Sequence, residues 1–589
     1  MKYFDFKNAD LEDKISKLRK KTASLSFLRL LTFLGLIGFF VLMIAESLIW
    51  GLVWFGFIIL FIHLIKSYNF WKDQEAVYKA LDQINQNENL RQERKLESLD
   101  PGIEYLDKKH PFCNDLDLFG SHSVFQLLNH TVSHEAKNQL ANLLKSPIAI
   151  EESEQNRKAI DELAESPDFL KAFEAVGKAF FNSDVKHHQW EDWLKSEDKR
   201  VPWSFFVGCL GLLGGITLGV LVYINLVPSA FLGVWVLIGM ALLGFVFKPL
   251  QLAAEKIPSQ STLKTFKNWL VLLENQRFES SALLRDLEVF QEKNHRASEV
   301  LKELDSLGLW VQNRINILYI PINLFFWTDL LLYYKMVKWK ARFGKLVSNY
   351  PHILSKWEVW ISLAAFRSEL EADGEVSIKN GLELETTALY HPLLPKGKAV
   401  ANDFSISEKQ KLSLLTGSNM SGKTTFMRTL GVNIVLVNIG LRPFAEKMEL
   451  GQFQLYTSMR NTDSLGESVS SFYAELNRIK TLIDLIESGV PVFFLLDEIL
   501  KGTNTEDRIA GSEALIRQLK DSKALGIIST HDIELASLEA QIPYVKNYSF
   551  HSEIHDRSID FDYKLKKGPC PSFNAHKLME LMGIKFHKR

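Results

Sequence analysis

The sequence predicts an α + α/β protein: two apolar helical hairpins, an all-α region, and a C-terminal nucleotide-binding α/β domain. Three observations carry this. Four long apolar runs, almost free of charge, occur as two pairs. Helical periodicity dominates the polar sequence up to about residue 370. From about Glu375 the texture changes to short apolar strands, turns and helices, and that part holds a Gly-x4-Gly-Lys-Thr loop. At 589 residues the chain exceeds one ordinary core, so several domains are expected.

Residues 1–29 form a polar N-terminus that is net basic towards its end, with Lys14, Lys17, Arg19, Lys20, Lys21 and Arg29. Residues 30–45 and 47–65 are the first apolar pair, split by Glu46; residues 203–224 and 230–247 are the second, separated by a turn holding Asn225 and Pro228. A bilayer-crossing helix needs roughly 20 apolar residues, so both pairs read as transmembrane hairpins. Basic residues flank the outer ends of both pairs (Lys66, Lys72, Lys195, Lys199, Arg200, Lys248, Lys256), whereas the two inner turns hold no Lys or Arg. By the positive-inside rule the chain is expected in the cell (inner) membrane as a multi-pass protein. Both termini and the nucleotide domain would then be cytoplasmic, with lipid as one partner. A fifth apolar stretch, residues 315–334, contains Pro321, Asn323 and Asp329 and reads as a buried helix of a soluble domain.

The expected domains are therefore 1–29, hairpin 30–65, helical region 66–200, hairpin 201–248, helical region 249–384 and nucleotide domain 385–589. Val77, Leu81 and Ile84 mark an amphipathic helix within 66–100 that ends near Pro101-Gly102. Leu283, Leu287 and Phe290 lie on one helical stripe. The net charge of -1 supplies no global field for nucleic acid. Cys113, Cys209 and Cys570 are far apart, without metal-ligand spacing, and fit a reduced compartment. The four runs carry few polar residues to line a path, which speaks against a transporter.

The chemistry concentrates in the last two hundred residues. Residues 412–416 form an apolar strand, Gly417, Ser418, Asn419, Met420, Ser421, Gly422, Lys423, Thr424 and Thr425 the loop, and residues 426–438 a helix. Strand, glycine turn and helix N-terminus aim backbone N–H groups at an anion, here the phosphates of ATP. Lys423 is then the cation for the β- and γ-phosphates, and Thr424 a Mg²⁺ ligand. Residues 492–496 are a second buried strand delivering Asp497, a Mg²⁺ ligand, and Glu498, which would orient or deprotonate the attacking water. A third strand, residues 525–529, runs into Thr530, His531 and Asp532, placing His531 within reach of the γ-phosphate.

Gly417-Ser-Asn-Met-Ser-Gly-Lys-Thr-Thr, Leu495-Leu-Asp-Glu498, Lys501-Gly-Thr-Asn-Thr505 and Ser529-Thr-His-Asp532 together resemble the ATPase domain of MutS-type mismatch-repair proteins. His391-Pro-Leu-Leu394 and Ala401-Asn-Asp403 resemble the lead-in to that domain. Asp463-Ser-Leu, Ser470-Ser-Phe472 and Glu475 resemble its signature loop. The resemblance implies an ABC-type ATPase fold that hydrolyses ATP with Mg²⁺. It implies a homodimer in which Ser470 acts in trans at the partner's ATP site, and association with mismatched or structured DNA. It extends more weakly to Asp117-Leu-Phe-Gly120, similar to the family's core domain, and to residues 357–370, similar to its lever helices. The departures are specific. Residues 1–110 offer no counterpart to the N-terminal mismatch-reading domain, position 468 is Ser rather than Gly, and position 400 is Val rather than aromatic. The chain thus resembles a membrane-embedded member of the family without the mismatch-recognition domain. DNA would be held through its backbone, without sequence preference, by Lys335, Lys338, Lys340, Arg342 and Lys345; the other reading of this run, and the favoured one, is a solvated helix face or a seat for anionic lipid headgroups. The alternative expectation is a membrane-tethered ATPase switch acting on a partner other than DNA.

Overall fold

The computed structural model describes residues 4–571, apart from 48, 147–149, 182–186, 197–201, 293–294, 318, 419, 461–470 and 556–557. These residues form a mixed helix and sheet protein of two compact units. One comprises residues 1–85, 131–136 and 168–361; the other comprises 86–130, 137–167 and 362–589.

The first unit is helical and contains both apolar hairpins. Leu11–Ala45, Trp50–Glu93, Trp203–Tyr223 and Ala230–Lys256 are long and apolar enough to cross a membrane by length and composition. Their Leu, Ile and Phe side chains are largely exposed, as in helices whose apolar faces meet acyl chains. Basic and aromatic side chains gather at one end of the first pair: Lys21 Nζ lies 3.3 Å over the Trp71 ring, and Arg29 lies 4.5 Å over Tyr68. Away from the hairpins the unit has an apolar, aromatic core, in which Phe173 stacks on Trp269 (4.8 Å between centroids) and accepts its indole N–H at the backbone carbonyl (2.8 Å).

Four sequence expectations change here. The amphipathic segment after residue 66 is not a separate helix: Trp50–Glu93 is continuous, and it stops where Arg94 adopts φ 60°, before Pro101-Gly102. Phe290 is buried against Tyr350 (5.1 Å), but Gln291–Glu292 (β1) leaves the helical stripe and pairs antiparallel with His295–Arg296 (β2). Residues 315–334 are not one buried helix. They form Tyr319–Phe326, none of whose residues is buried, then a break at Trp327 and the start of Thr328–Val347. The basic run on that last helix is not one solvated face either. Lys340 is buried, donating to Ser196 Oγ at 2.9 Å and lying 4.8 Å from the centroid of the Trp193 ring, because the helix packs inward on that side.

The second unit holds two sheets. Glu375–Ile378 (β3), Glu383–Leu389 (β4), Asn402–Ser407 (β5), Leu412–Thr416 (β6), Lys447–Leu450 (β7), Gln454–Ser458 (β8), Val492–Asp497 (β9), Ala524–Thr530 (β10), Val545–His555 (β11) and Ser558–Lys567 (β12) are its strands. The smaller sheet has the order β3-β7-β4-β5, the larger β12-β11-β6-β10-β9-β8. In the larger sheet β11, β6, β10, β9 and β8 are parallel, with only β12 antiparallel at the edge. Parallel strands are covered on both faces and so read as unbroken apolar runs, which is why 412–416 and 492–496 were legible as strands. Leu414, Phe494, Leu496 and Ile528 pack on Leu482 and Ile516 of the covering helices Ser471–Glu487 and Thr505–Gln518.

Candidate functional site

The site lies at the C-terminal ends of β6, β10 and β9. Register places Thr530 beside Thr416 and Ser529 beside Asp497, so the three strand ends open on one edge. That edge is where ligands sit in α/β sheets. The loop after β6 turns at Gly417 (φ 152°) and Gly422 (φ 105°) and enters the helix Lys423–Asn438. A Cβ on Gly417 would stand 2.9 Å from both the Phe550 carbonyl oxygen and Ser421 Oγ, so only glycine fits this turn. Ser421 is buried and donates to the Ser418 carbonyl at 2.8 Å. Met420 and Thr425 are exposed. Asn419 and Ser470 lie outside the described residues.

Lys423 is buried and folds its ammonium back into the loop, donating to the carbonyls of Gly417 (2.8 Å) and Ser418 (3.0 Å). Burial pushes its pKa down, and the carboxylates of Glu498 and Asp497 oppose that shift. Thr424 Oγ1 donates to Asp497 Oδ2 at 2.6 Å, and the other Asp497 oxygen accepts from Ser529 Oγ. Among the described residues no cluster of three His, Cys, Asp or Glu could hold a metal alone. One carboxylate and one hydroxyl fit Mg²⁺, which takes few protein oxygens and completes its shell with water and phosphate.

Glu498 has φ 50°, a strained setting at the strand's end that turns its side chain across the edge. Its Oε1 lies 2.7 Å from His531 Nε2 and its Oε2 lies 2.8 Å from Lys501 Nζ. The His531 hydrogen bond, against the opposing penalty of burial and with help from Lys501, pulls the Glu498 carboxyl down to about 2. The structure thus brings together Lys423, Thr424, Asp497, Glu498 and His531, which lie far apart in the chain.

Other residues at the site carried no role in the sequence reading. Ser529 orients Asp497, and Lys501 pairs with Glu498; both stood inside quoted motifs, where the Asp497–Ser529 register is the signal. Glu475 accepts the Leu500 backbone N–H, tying Ser471–Glu487 to the turn after Glu498, and burial pushes its carboxyl up. Gly502 lets Phe472 pack there, since a Cβ would stand 2.5 Å from that of Phe472. Asp115, wholly buried, accepts from Thr457 Oγ1 (2.7 Å), the N–H groups of Met459 (3.0 Å) and Arg460 (3.2 Å), and Arg478 (3.3 Å). Asp117 bridges Arg428 of the loop helix (3.1 Å) and Arg460 (2.6 Å). The sequence signals for this network were two acids alternating with apolar residues, Asp115-Leu-Asp117-Leu-Phe119, the second of them inside the quoted Asp117-Leu-Phe-Gly120. His391 is buried and its pKa is pushed down to about 3 by burial; its Nδ1 accepts from the Leu393 N–H, a turn-forming role.

Residues 413–584 match the family model described as MutS domain V. The chain is similar to a DNA mismatch repair protein MutS of Oceanobacillus iheyensis, 30% identical over 239 residues, covering 39% of this chain and 27% of the relative. A DNA mismatch repair protein MutS of Carboxydothermus hydrogenoformans is 30% identical over 294 residues, covering 49% of this chain and 33% of the relative. An Endonuclease MutS2 of the same organism is 28% identical over 243 residues, covering 41% and 30%. The chain thus spans about a quarter to a third of the length of these relatives. The matches support MutS-family membership.

Proposed function

We propose that the chain is a membrane-anchored, MutS-like ATPase that works as an ATP-switched homodimer and associates with DNA through its backbone. The observation that carries the ATPase reading is the 2.6 Å contact between Thr424 and Asp497, made beside Glu498 and His531 at one sheet edge. It is the arrangement that places a Mg²⁺ shell next to a water-orienting carboxylate. Bound Mg²⁺ would be held by Thr424 and Asp497 and would neutralise charge on the β- and γ-phosphate oxygens. Lys423 would leave the Gly417 and Ser418 carbonyls for the phosphates. His531 and Lys501 now hold Glu498; drawn towards a γ-phosphate, they would release it. That release raises the basicity of Glu498, which then orients the attacking water or takes its proton. The DNA association and the dimer come from the MutS likeness, and the membrane anchor from the four apolar helices.

The test is ATP hydrolysis by the full chain in detergent, alone and with homoduplex, mismatched and branched DNA. Mg²⁺-dependent turnover is expected, altered by DNA at low salt. The DNA effect should fade as salt rises and differ little between matched and mismatched duplex, since phosphate contacts release counterions and read no sequence. Absence of Mg²⁺-dependent turnover would overturn the reading. Turnover unaffected by DNA at any salt would remove DNA and leave a switch acting on another partner.

Dimerisation has its own check. Dimers co-assembled from Lys423→Ala and Ser470→Ala chains contain one site with both defects and one with neither, if Ser470 acts in trans. Such mixtures are expected to regain part of the hydrolysis that each variant lacks alone. No regain at any ratio, with a wild type that turns over as a monomer, would exclude the shared site.

A further inference from the structure

Residues 315–334 have the composition of neither a clean span nor a soluble core helix, and the structure gives them an unusual place. Tyr319–Phe326 and the start of Thr328–Val347 form a bent pair seated on the second apolar hairpin. We infer that this pair is a re-entrant element, inserted into the bilayer beside the hairpin and leaving on the side it entered, with an outer face made for acyl chains. The inference rests on the reading that Trp203–Tyr223 and Ala230–Lys256 span a bilayer.

The first argument is depth. Three glycines along one face of Trp203–Tyr223 meet successive parts of the pair: Gly208 meets Leu331, Gly211 meets Trp327, and Gly215 meets Phe325 and Phe326. Gly215 lies roughly three turns, about 18 Å, into that helix, and a hydrocarbon core is about 30 Å thick. From the other helix Trp235, little more than one turn after its start at Ala230, stacks on Trp327 with 4.3 Å between centroids. The corner of the pair therefore sits well inside the depth of the spans.

Close approach is built in. A Cβ on Gly208 would stand 2.7 Å from Leu331, on Gly211 2.7 Å from Trp327, and on Gly215 2.9 Å from the Phe325 carbonyl oxygen. On Gly239 it would collide with the Trp327 ring and stand 2.7 Å from the Leu324 carbonyl oxygen. Small residues of this kind are how helices pack closely in lipid.

The second argument is the backbone. Non-helical backbone at membrane depth survives only where protein satisfies its polar groups. Trp327 breaks the helix at φ 57°, and several polar groups at the break find protein partners, although the buried Trp327 indole N–H finds none among the described residues. The Trp235 indole N–H donates to the Phe325 carbonyl at 2.8 Å, and the Trp327 N–H donates to the Asn323 carbonyl at 2.7 Å. Asn323 Oδ1 accepts from the Asp329 N–H (2.8 Å) and from Thr328 Oγ1 (2.9 Å). Asp329 is paired with Arg314 at 2.8 Å and accepts from the Tyr319 hydroxyl at 2.8 Å. These are the Asn and Asp that counted against a span in the sequence; here they close the break.

The third argument is the outer face. Ile315 and Ile317 are 88% and 80% exposed, and Ile320 and Ile322 are about half exposed. Such a cluster is costly against water and matched against acyl chains. Lys335 and Lys338 follow on Thr328–Val347, as Lys248 and Lys256 follow the hairpin, the charge pattern of one membrane side. Entry and exit on that side keep the flanking residues together, whereas a single crossing would separate them.

The test places single cysteines in the full chain carrying Cys113→Ala, Cys209→Ala and Cys570→Ala. The substitutions are Ile320→Cys, Ile322→Cys, Leu213→Cys as the span reference and Tyr473→Cys as the aqueous reference. Each is labelled with an environment-sensitive fluorophore in nanodiscs of phosphatidylethanolamine and phosphatidylglycerol, with or without lipid carrying a doxyl quencher on its acyl chain. Loss of intensity at Ile320 and Ile322 equal to that at Leu213, with none at Tyr473, is expected. Quenching at Leu213 but not at Ile320 and Ile322 would overturn the re-entrant element and leave the spans standing. No quenching at Leu213 either would overturn the membrane reading with it.

Discussion

Glu498→Gln is expected to lower the ATP turnover of the full chain about 10²–10⁴-fold while leaving nucleotide binding in place. Glutamine keeps the shape of the side chain and can still lie beside His531 and Lys501, but it cannot take a proton from water or carry the charge that aligns it. Lys423→Ala is expected to act one step earlier and abolish binding, because the only ammonium inside the glycine loop is lost among the described residues. Binding of a fluorescent ATP analogue and single-turnover hydrolysis, measured on the same preparations, separate the two. Wild-type turnover in Glu498→Gln would remove Glu498 from the chemistry. The pH dependence has a definite sign. The folded-state pKa of Glu498 is depressed to about 2 from an ordinary 4.5, so the ion pair stabilises the fold above about pH 4.5. That contribution is lost as pH falls from there towards 2. Both partners are partly exposed, so the loss on Glu498→Gln should be small in stability and large in turnover.

Asp115→Asn is expected to destabilise the segment 457–460 by about 3–5 kcal/mol, the typical cost of leaving a buried charge without its partner. Asp115 is an acceptor for four donors, and an amide turns two of its lone-pair sites into donors facing donors. The Arg478 guanidinium and the N–H groups of Met459 and Arg460 would then compete for one oxygen. Hydrogen exchange read at Met459 and Arg460 should accelerate by about two to four orders of magnitude, provided the segment opens locally rather than with the whole unit. Asp117→Asn, at a partly exposed position, should change exchange far less. Unchanged protection in Asp115→Asn would show that the buried carboxylate is not what holds this end of β8. Because β8 ends at Ser458 and leads into residues 461–470, a fall in ATP turnover is expected alongside.

What the sequence by itself determined are features written in short-range pattern. The strand 412–416, the glycine turn and the helix after it follow from one apolar run, two residues with no Cβ and a helical period. The strand 492–496 with Asp497 and Glu498 at its end follows in the same way. The four long apolar helices follow from length and the near absence of charge, and the change of texture at Glu375 coincides with β3. Tertiary structure decided which of these meet. That β10 lies between β6 and β9, setting Ser529 against Asp497 and His531 against Glu498, depends on parallel pairing between segments more than thirty residues apart. The three strands concerned, β6, β9 and β10, are buried along nearly their whole length, so their residues carry no label for their neighbour, and the order is chosen by packing of the whole sheet. The same holds for Asp115, whose four donors come from residues more than three hundred positions away and whose burial no local period announces. It holds most clearly for residues 315–334. There an Asn and an Asp read as costs in any helix taken alone, and they become caps and partners only once Trp235, Arg314 and the facing glycines are in place. A polar group in an apolar stretch is expensive or stabilising according to whether a donor or acceptor is waiting for it, and that is settled in three dimensions.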